Sequence, residues 1–208
     1  EKFAGAARTY AVEALMSDGR ALQAGTSHNL GQNFAKAFDI QFEDQNQEIQ
    51  YAWSTSWGMT TRIIGALVMT HGDDNGLRIP PRVAPYHVVI VPIKAGNYEE
   101  EVLPAARQLE VLLRTAGLRV YLDDRDEYTP GWKYNEWEMR GVPLRAEIGP
   151  RDGKNKQTVL VRRDTRDKTF VPIDHVPGAA AILLDDIQTS MLTTAREFLE
   201  ANTHKVED

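Results

Sequence analysis

Cysteine is absent from the 208 residues, so neither a disulfide nor a thiolate metal site can form, and nothing marks an oxidising compartment. The five histidines, at 28, 71, 87, 175 and 204, are scattered without ligand spacing, which argues against zinc. No apolar run approaches the length needed to span a bilayer. A soluble, cytoplasmic protein with no membrane partner is the expectation. Excess positive charge is also missing: 24 Lys and Arg face 30 Asp and Glu, a net charge of −6, which excludes wholesale nucleic-acid coating. Internal repeats and low-complexity segments are absent as well. What is present is 42% hydrophobic residues, enough for one large core or two smaller ones.

The charge is unevenly spread. Residues 130–170 hold ten Lys and Arg against six Asp and Glu, whereas 85–129 and 171–208 are both acidic. Such an island is commonly a solvated face, but it also suits a localised phosphate-contacting surface.

Three prolines, Pro80, Pro81 and Pro85, divide the chain near residue 84, because they end any helix and extend the residues before them. Val88 to Val91 then reads as a buried strand. "YEEEVLPAARQLEVLLRTAG" places Val102, Ala105, Leu109, Leu112 and Leu113 near helical spacing, with Gly117 as a stop. "LRVYLDD" alternates as a strand, and "WKYNEWEMRG" reads as a helix closed by Gly141. "PLRAEIGP" and "TVLVRR" read as further strands, and "AILLDDIQTSMLTTAREFLEAN" as a long amphipathic helix. This order predicts a small α/β sheet layered with helices. In the first half, "ALQAG", "DIQFED" and "YAWSTSW" are strand-like. A short helix in "LGQNFAKAF" and a longer one in "TTRIIGALVMTHGDD" accompany them, the latter with Ile63, Ile64, Leu67 and Val68 on one side. An antiparallel sheet with one helix behind it is expected here.

Within this half, Gln23, Thr26, Ser27 and His28 crowd around Gly25 before an apolar-periodic run. A turn or helix entry needs one glycine and one capping oxygen. The stretch is therefore either an over-furnished cap or a loop where a small polar molecule sits.

"GTSHNLGQNFAKAFDIQF", "TSWGMTTRIIGALVMTHGDDNGLRIPPRVAP" and "DDRDEYTPGWKYNEWEMRGVPLRAEIGPRD" together resemble prolyl-tRNA synthetases, of the type shared by archaea, eukaryotes and some bacteria. The resemblance covers nearly the whole chain and implies a class II aminoacyl-tRNA synthetase. Residues 1–84 would be the C-terminal part of its antiparallel catalytic domain. Residues 85–190 would be an α/β anticodon-binding domain with a mixed five-stranded sheet, and 191–208 a helix leading to a further domain. The first two class II signatures, including the α-phosphate arginine, lie outside the resemblance. A fragment that does not activate proline by itself is the expectation.

The resemblance also implies roles for particular residues. Gln23, Thr26, Thr60 and Arg62 match ATP contacts, with Gln23 also placed to help hold magnesium (Mg2+) through ATP. Arg62, in "GMTTR", matches the arginine of the third class II signature, whose flat guanidinium stacks on adenine while its fork binds phosphate. Taken alone, an arginine here would simply pair with a surface carboxylate. His28 matches a proline contact, and Trp57 and Gly58 resemble the wall of the amino-acid pocket; Trp53 is assigned to the core. Lys133, Glu136 and Glu138 are expected at the anticodon, the carboxylates accepting from guanine edges, with Arg151 and Arg162 as supporting cations. Trp132 and Trp137 read equally as core. The implied partners are ATP, proline and tRNA(Pro), with a homodimer for the complete enzyme. The competing readings are a non-catalytic RNA-binding module that kept the anticodon-binding fold, and an interaction protein docking through its α/β half.

Overall fold

The computed structural model describes residues 2–205 and divides into two compact units, Glu1–Thr70 and His71–Asp208. The segment 71–84, which precedes the break read from the prolines, packs with the second unit.

The first unit comprises β1 (Arg8–Leu15), β2 (Ala21–Gly31), α1 (Asn33–Ala37), β3 (Gln41–Glu43), β4 (Ile49–Tyr51), β5 (Ser54–Gly58) and α2 (Arg62–His71). Strands β1, β2 and β5 form an antiparallel sheet in that order, and β3 pairs with β4 as a hairpin. The strand read in "ALQAG" does not give way to a cap or loop but runs on to Gly31 as β2, paired with β1 along most of its length and with β5 from Thr26 onward. Its polar residues are tolerated because an antiparallel sheet can leave a face open to water. The pairing with β1 is broken once: Val12 faces Gly25 and Glu13 faces Gln23, so Ala24 has no partner and forms a bulge. The apolar side of α2 does not pack behind the sheet as expected. Ala66 is its one buried residue, while Ile64, Val68 and Met69 are exposed. Trp53, assigned to the core, is exposed too.

The second unit contains β6 (Gly72–Asp73), β7 (Gly76–Leu77), β8 (Val88–Pro92), α3 (Leu103–Thr115), β9 (Val120–Leu122), α4 (Pro130–Met139), β10 (Leu144–Ile148), α5 (Pro150–Asn155), β11 (Gln157–Arg162), β12 (Lys168–Pro172) and α6 (Val176–Ala201). Its main sheet runs β12-β11-β10-β8-β9. β8 is parallel to β9 and β10, whereas β11 and β12 are antiparallel additions. This is the mixed five-stranded sheet that was expected. Residue 190 falls inside α6, which is unbroken to Ala201; the last three residues of the expected 191–208 segment lie outside the described residues.

The β-branched run of β8 occupies the centre of the sheet because it is apolar on both faces. Val88 and Ile90 pack with Leu109 and Leu113 of α3 and Leu184 of α6. Val89 and Val91 face Trp137 of α4 and Val142. Each such side chain contributes about 1.5–3 kcal/mol on burial. A π-helical turn, Tyr98–Val102, leads into α3; Pro104 cannot donate to the preceding turn, and the Leu103 amide reaches back to the carbonyl of Tyr98 instead.

The β6–β7 hairpin is locked onto the end of α4. Gly76 has φ +124°, and a Cβ there would stand 2.3 Å from Met139 Cα. Gly141 has φ +73°, and its Cβ would meet Leu77 Cβ at 2.7 Å. Asp73 receives both arms of Arg163, at 2.7 and 3.0 Å. That hydrogen-bonded guanidinium holds the Asp73 carboxyl at about 2, below its ordinary 3.8. The pair therefore stabilises the fold above the ordinary carboxylate value, and its contribution fades as pH falls from about 4 towards 2. We expect Asp73→Asn to cost about 2 kcal/mol near neutrality, and the gap from the unsubstituted protein to shrink to a small remainder at pH 2 and to close below it. Denaturant titration across that range measures it; a gap independent of pH would mean that the ion pair contributes nothing.

Candidate functional site

In the first unit the bulge decides which side chains share a face. Cross-strand partners point the same way, and neighbours along a strand alternate. His28 pairs with Thr9, Thr26 with Ala11 and Gln23 with Glu13. Thr9, Ala11 and Glu13 are alternate residues of β1, so His28, Thr26 and Gln23 lie on one face. Without the extra Ala24, Gln23 would point away from the other two. Gly58 pairs with Thr26 and belongs to the same face, where a Cβ would enter open space. The His28 ring is held by Thr9, with Nδ1 and Oγ1 3.1 Å apart, and by Phe3, whose ring centroid lies 4.6 Å away. With Nδ1 occupied, Nε2 remains for a ligand.

Arg62 opens α2 and donates from Nη1 to Gln23 Oε1 at 3.2 Å. Among the described residues no carboxylate pairs with it, so the surface-pair alternative is not what forms. A guanidinium at a helix N-terminus opposes the dipole; together the two favour an anion. Thr60 caps this end, its hydroxyl accepting from the Arg62 amide at 3.3 Å, and the hydroxyl hydrogen remains available to donate. Trp57 pairs with Ser27 on the opposite face, yet it shares an open groove of about 320 Å³ with Thr26 and Gly58, together with Tyr10, Val12 and Met59.

In the second unit, most of the basic island is spent internally. Lys133, expected on the surface, is buried; its Nζ donates to the Asp123 carbonyl at 2.9 Å and lies 3.7 Å from Asp123 Oδ1. Arg162 is held by Asp164 at 2.7 Å and by Asp186. Arg145 bridges Glu138 at 3.0 Å and Glu147 at 2.9 Å. Glu136 receives Arg125 on Oε2 and Arg140 on Oε1. Both expected base-reading carboxylates are thus paired with arginines, though each oxygen keeps accepting capacity. Arg151 is exposed on α5 and, among the described residues, pairs with no carboxylate; the same holds for Lys154 and Lys156, which the sequence reading passed over.

The two tryptophans of α4 separate cleanly. Trp137 is core, its indole N–H donating to Asp123 Oδ2 at 2.7 Å. Trp132 is 43% exposed and stacks on Tyr128, with centroids 3.8 Å apart and planes 11° from parallel. The Arg125 guanidinium lies 4.9 Å from the Tyr128 ring centroid and 5.5 Å from that of Trp132. Nothing in the spacing distinguished Trp132 from a core residue, but its place one turn into a helix after "TPG" was a usable signal. This stack follows the C-terminal end of β9, and α5 follows that of β10. In open α/β sheets, ligands gather at those ends.

These arrangements agree with known proteins at the level of class. Residues 87–181 match the family model described as an anticodon binding domain, and the second unit has the fold of such a domain from a class II synthetase. More particularly, the whole chain is similar to proline–tRNA ligases. It is 60% identical to that of Natranaerobius thermophilus over 98% of this chain and 42% of the relative. To the ligase of Chloroflexus aurantiacus it is 53% identical, over 99% of this chain and 44% of the relative. The crystal structure of prolyl-tRNA synthetase from Cryptosporidium parvum, complexed with L-proline and AMP, superposes with a TM-score of 0.90. That match has 45% identity and covers 97% of this chain and 44% of the other. The chain thus spans less than half the length of the relatives it matches. Among its described residues, no helix is long and apolar enough to cross a membrane.

Burial changes what Lys133 is expected to do. Lys133→Ala should destabilise the second unit by about 3 kcal/mol, since it leaves the Asp123 carbonyl unsatisfied and strips one charge from a buried cluster. Below the unfolding transition, the salt dependence of any affinity measured for a proline anticodon stem-loop should be unchanged. A lower salt slope with unaltered stability would restore Lys133 as a phosphate contact.

Proposed function

We propose that this chain is a segment of a proline–tRNA ligase of the archaeal and eukaryote-like type, contributing part of the catalytic sheet and the anticodon-binding domain. The observation that carries the reading is the shared face of Gln23, Thr26, His28 and Gly58, with Arg62 bonded to Gln23 beside it and, among the described residues, in no ion pair. A non-catalytic RNA-binding module offers no reason for that face to be kept.

In the complete enzyme the carboxylate of proline attacks the α-phosphorus of ATP, forming prolyl-adenylate and releasing pyrophosphate. The terminal ribose hydroxyl of tRNA(Pro) then attacks the prolyl carbonyl and takes the prolyl group as an ester, giving up its proton and releasing AMP. Neither step needs a protein nucleophile, so the residues act by positioning and charge neutralisation. Arg62 meets adenine with its flat face and the distal phosphates with its fork. Thr26 and Thr60 offer hydroxyls, and Gly58 leaves the surface low enough for a ligand to lie against it. His28, with its ring fixed from Nδ1, presents Nε2 towards proline. Trp57, on the other face, is placed in the wall of the amino-acid pocket only by the resemblance. Magnesium fits here in a limited way. Gln23 Oε1 is the one protein oxygen assigned to it, it already accepts from Arg62, and no cluster of carboxylates or imidazoles able to hold a metal stands among the described residues. Such a site suits an ion held mainly by phosphates and water, which would neutralise the charge on pyrophosphate. The homodimer and the cytoplasmic location go with this reading.

For RNA, the Tyr128–Trp132 stack supplies an aromatic platform, Glu136 and Glu138 supply acceptors, and Arg151, Lys154 and Lys156 supply exposed charge. Arg162, held by two aspartates, supports the scaffold. Proline anticodons carry two adjacent guanines, whose N1–H and N2–H2 edges donate to carboxylates.

Two outcomes are expected. In the complete enzyme, Arg62→Lys should lower proline-dependent pyrophosphate exchange by roughly tenfold or more, since lysine keeps the charge and loses both plane and fork. Unchanged exchange would remove Arg62 from the site. Separately, this chain should bind a proline anticodon stem-loop with an affinity that falls as salt rises. Glu136→Gln should narrow its preference over a loop whose two guanines are adenines, and an unaltered preference would assign base reading elsewhere.

A further inference from the structure

Asp123 is an expensive residue for its place. Its side chain is fully buried just past the end of β9, where its amide donates to the Ile90 carbonyl at 2.8 Å. Removing a carboxylate from water costs several kcal/mol even after relaxation, and an apolar residue would fill the same space without that cost. Its partners show what the charge does. Arg125 grips it with both arms, Nε to Oδ1 and Nη2 to Oδ2, each at 2.8 Å. Trp137 donates to Oδ2, and Lys133 lies beside Oδ1. A two-armed grip fixes the plane of a guanidinium as well as its position.

That plane is shared by two features assigned above to RNA. Arg125 Nη2 also donates to Glu136 Oε2, and the guanidinium carbon lies over the stacked Tyr128 and Trp132 rings, 4.9 and 5.5 Å from their centroids. Turning the guanidinium would disturb the carboxylate acceptor and the aromatic platform together. Asp123 itself, with no exposed surface, cannot touch RNA.

We infer that Asp123 is a positioning residue for base discrimination, acting through Arg125 to hold Glu136 and the Tyr128–Trp132 stack in register. The inference rests on the RNA reading proposed above. Asp123→Asn keeps the volume and one acceptor for the Trp137 indole, but it cannot give Arg125 two charge-assisted bonds.

The test uses this chain and two RNAs, a proline anticodon stem-loop and the same loop with its two guanines replaced by adenines. Affinities are measured at several salt concentrations below the unfolding transition. Asp123→Asn should reduce the guanine-over-adenine ratio about tenfold while leaving the salt slope unchanged, because no phosphate-binding cation is lost. Arg125→Lys, which retains charge without the fork or the flat face, should reduce the ratio similarly, and the double variant should be no worse than either single one. A purely structural role would lower the unfolding midpoint and leave the ratio of the folded protein intact. If Asp123→Asn fails to fold, Arg125→Lys decides the matter: a ratio equal to that of the unsubstituted chain overturns the inference. An unsubstituted chain that binds both loops equally would overturn the RNA reading and this inference together. A discriminating chain whose variants discriminate equally well overturns this inference alone.

Discussion

A charge removed from water must find a partner, and the second unit is arranged around that requirement. Asp123, Lys133, Glu147 and Arg163 are all buried, and each is paired. Arg163 ties Asp73 to the unit and donates from Nε to the Glu138 carbonyl at 3.0 Å, so it holds the β6–β7 hairpin and the end of α4 at once. Arg145 does similar work between Glu138 and Glu147, with its guanidinium 4.3 Å from the centroid of the Tyr134 ring. The outcome is a polar layer beside the Trp137 and Tyr121 cluster that fixes how α4 lies on the sheet. The local excess of cations in 130–170 is in large part this layer, and only a minority of those cations remains for an external anion.

The first unit depends on a different constraint, the two-residue period of a strand. Gln23, Thr26 and His28 are separated by three and two positions, a spacing that a regular strand cannot put on one face. One unpaired residue, Ala24, corrects the phase. The bulge is therefore part of the site in the same sense as the side chains it aligns. It costs one interruption of the ladder and gathers an amide, a hydroxyl and an imidazole beside the N-terminus of α2.

The parts of this molecule that could be read in advance were those governed by local rules. The all-apolar β8 and the helix at 130–139 follow from periodicity and turn chemistry, and a sheet layered with helices follows from their order; its mixed, five-stranded character was implied by the resemblance alone. The strand read in "ALQAG" was stopped short at Gly25 because the polar run after it resembles a cap or loop; Thr26 to His28 owe their strand character to pairing on both sides. Strand β12 passed unnoticed because an edge strand buries little; of its five residues Val171 alone is buried. The short α5 was hidden by the prolines and glycines around it. At the sites, residue types were legible and partners were not. Glu136 and Glu138 were recognisable as acceptors, but the arginines that hold them come from β10, from the segment after β9 and from the next turn of α4. Lys133 looked like a surface cation because no local pattern announces that a carboxylate ten residues earlier is buried beneath it.

Those partners bear on how a carboxylate could read a base. Guanine offers two donors in line, N1–H and N2–H2, whereas adenine places an acceptor, its own N1, where the first donor would be. A carboxylate facing adenine is repelled, so discrimination needs an acceptor held in orientation more than it needs a strong one. A solvated glutamate loses side-chain freedom when it binds, and it can rotate away from a wrong base. Glu136, with Arg125 on one oxygen and Arg140 on the other, has lost that freedom before any ligand arrives. The pairing that seemed to remove it from recognition leaves lone pairs on both oxygens and fixes their direction. Preorganisation of this kind lowers the ordering cost for the right base and denies the wrong one an escape. On the RNA reading, the ion pairs that stabilise α4 and the selectivity of its carboxylates are thus one arrangement, and the arginines contribute to specificity by what they hold still.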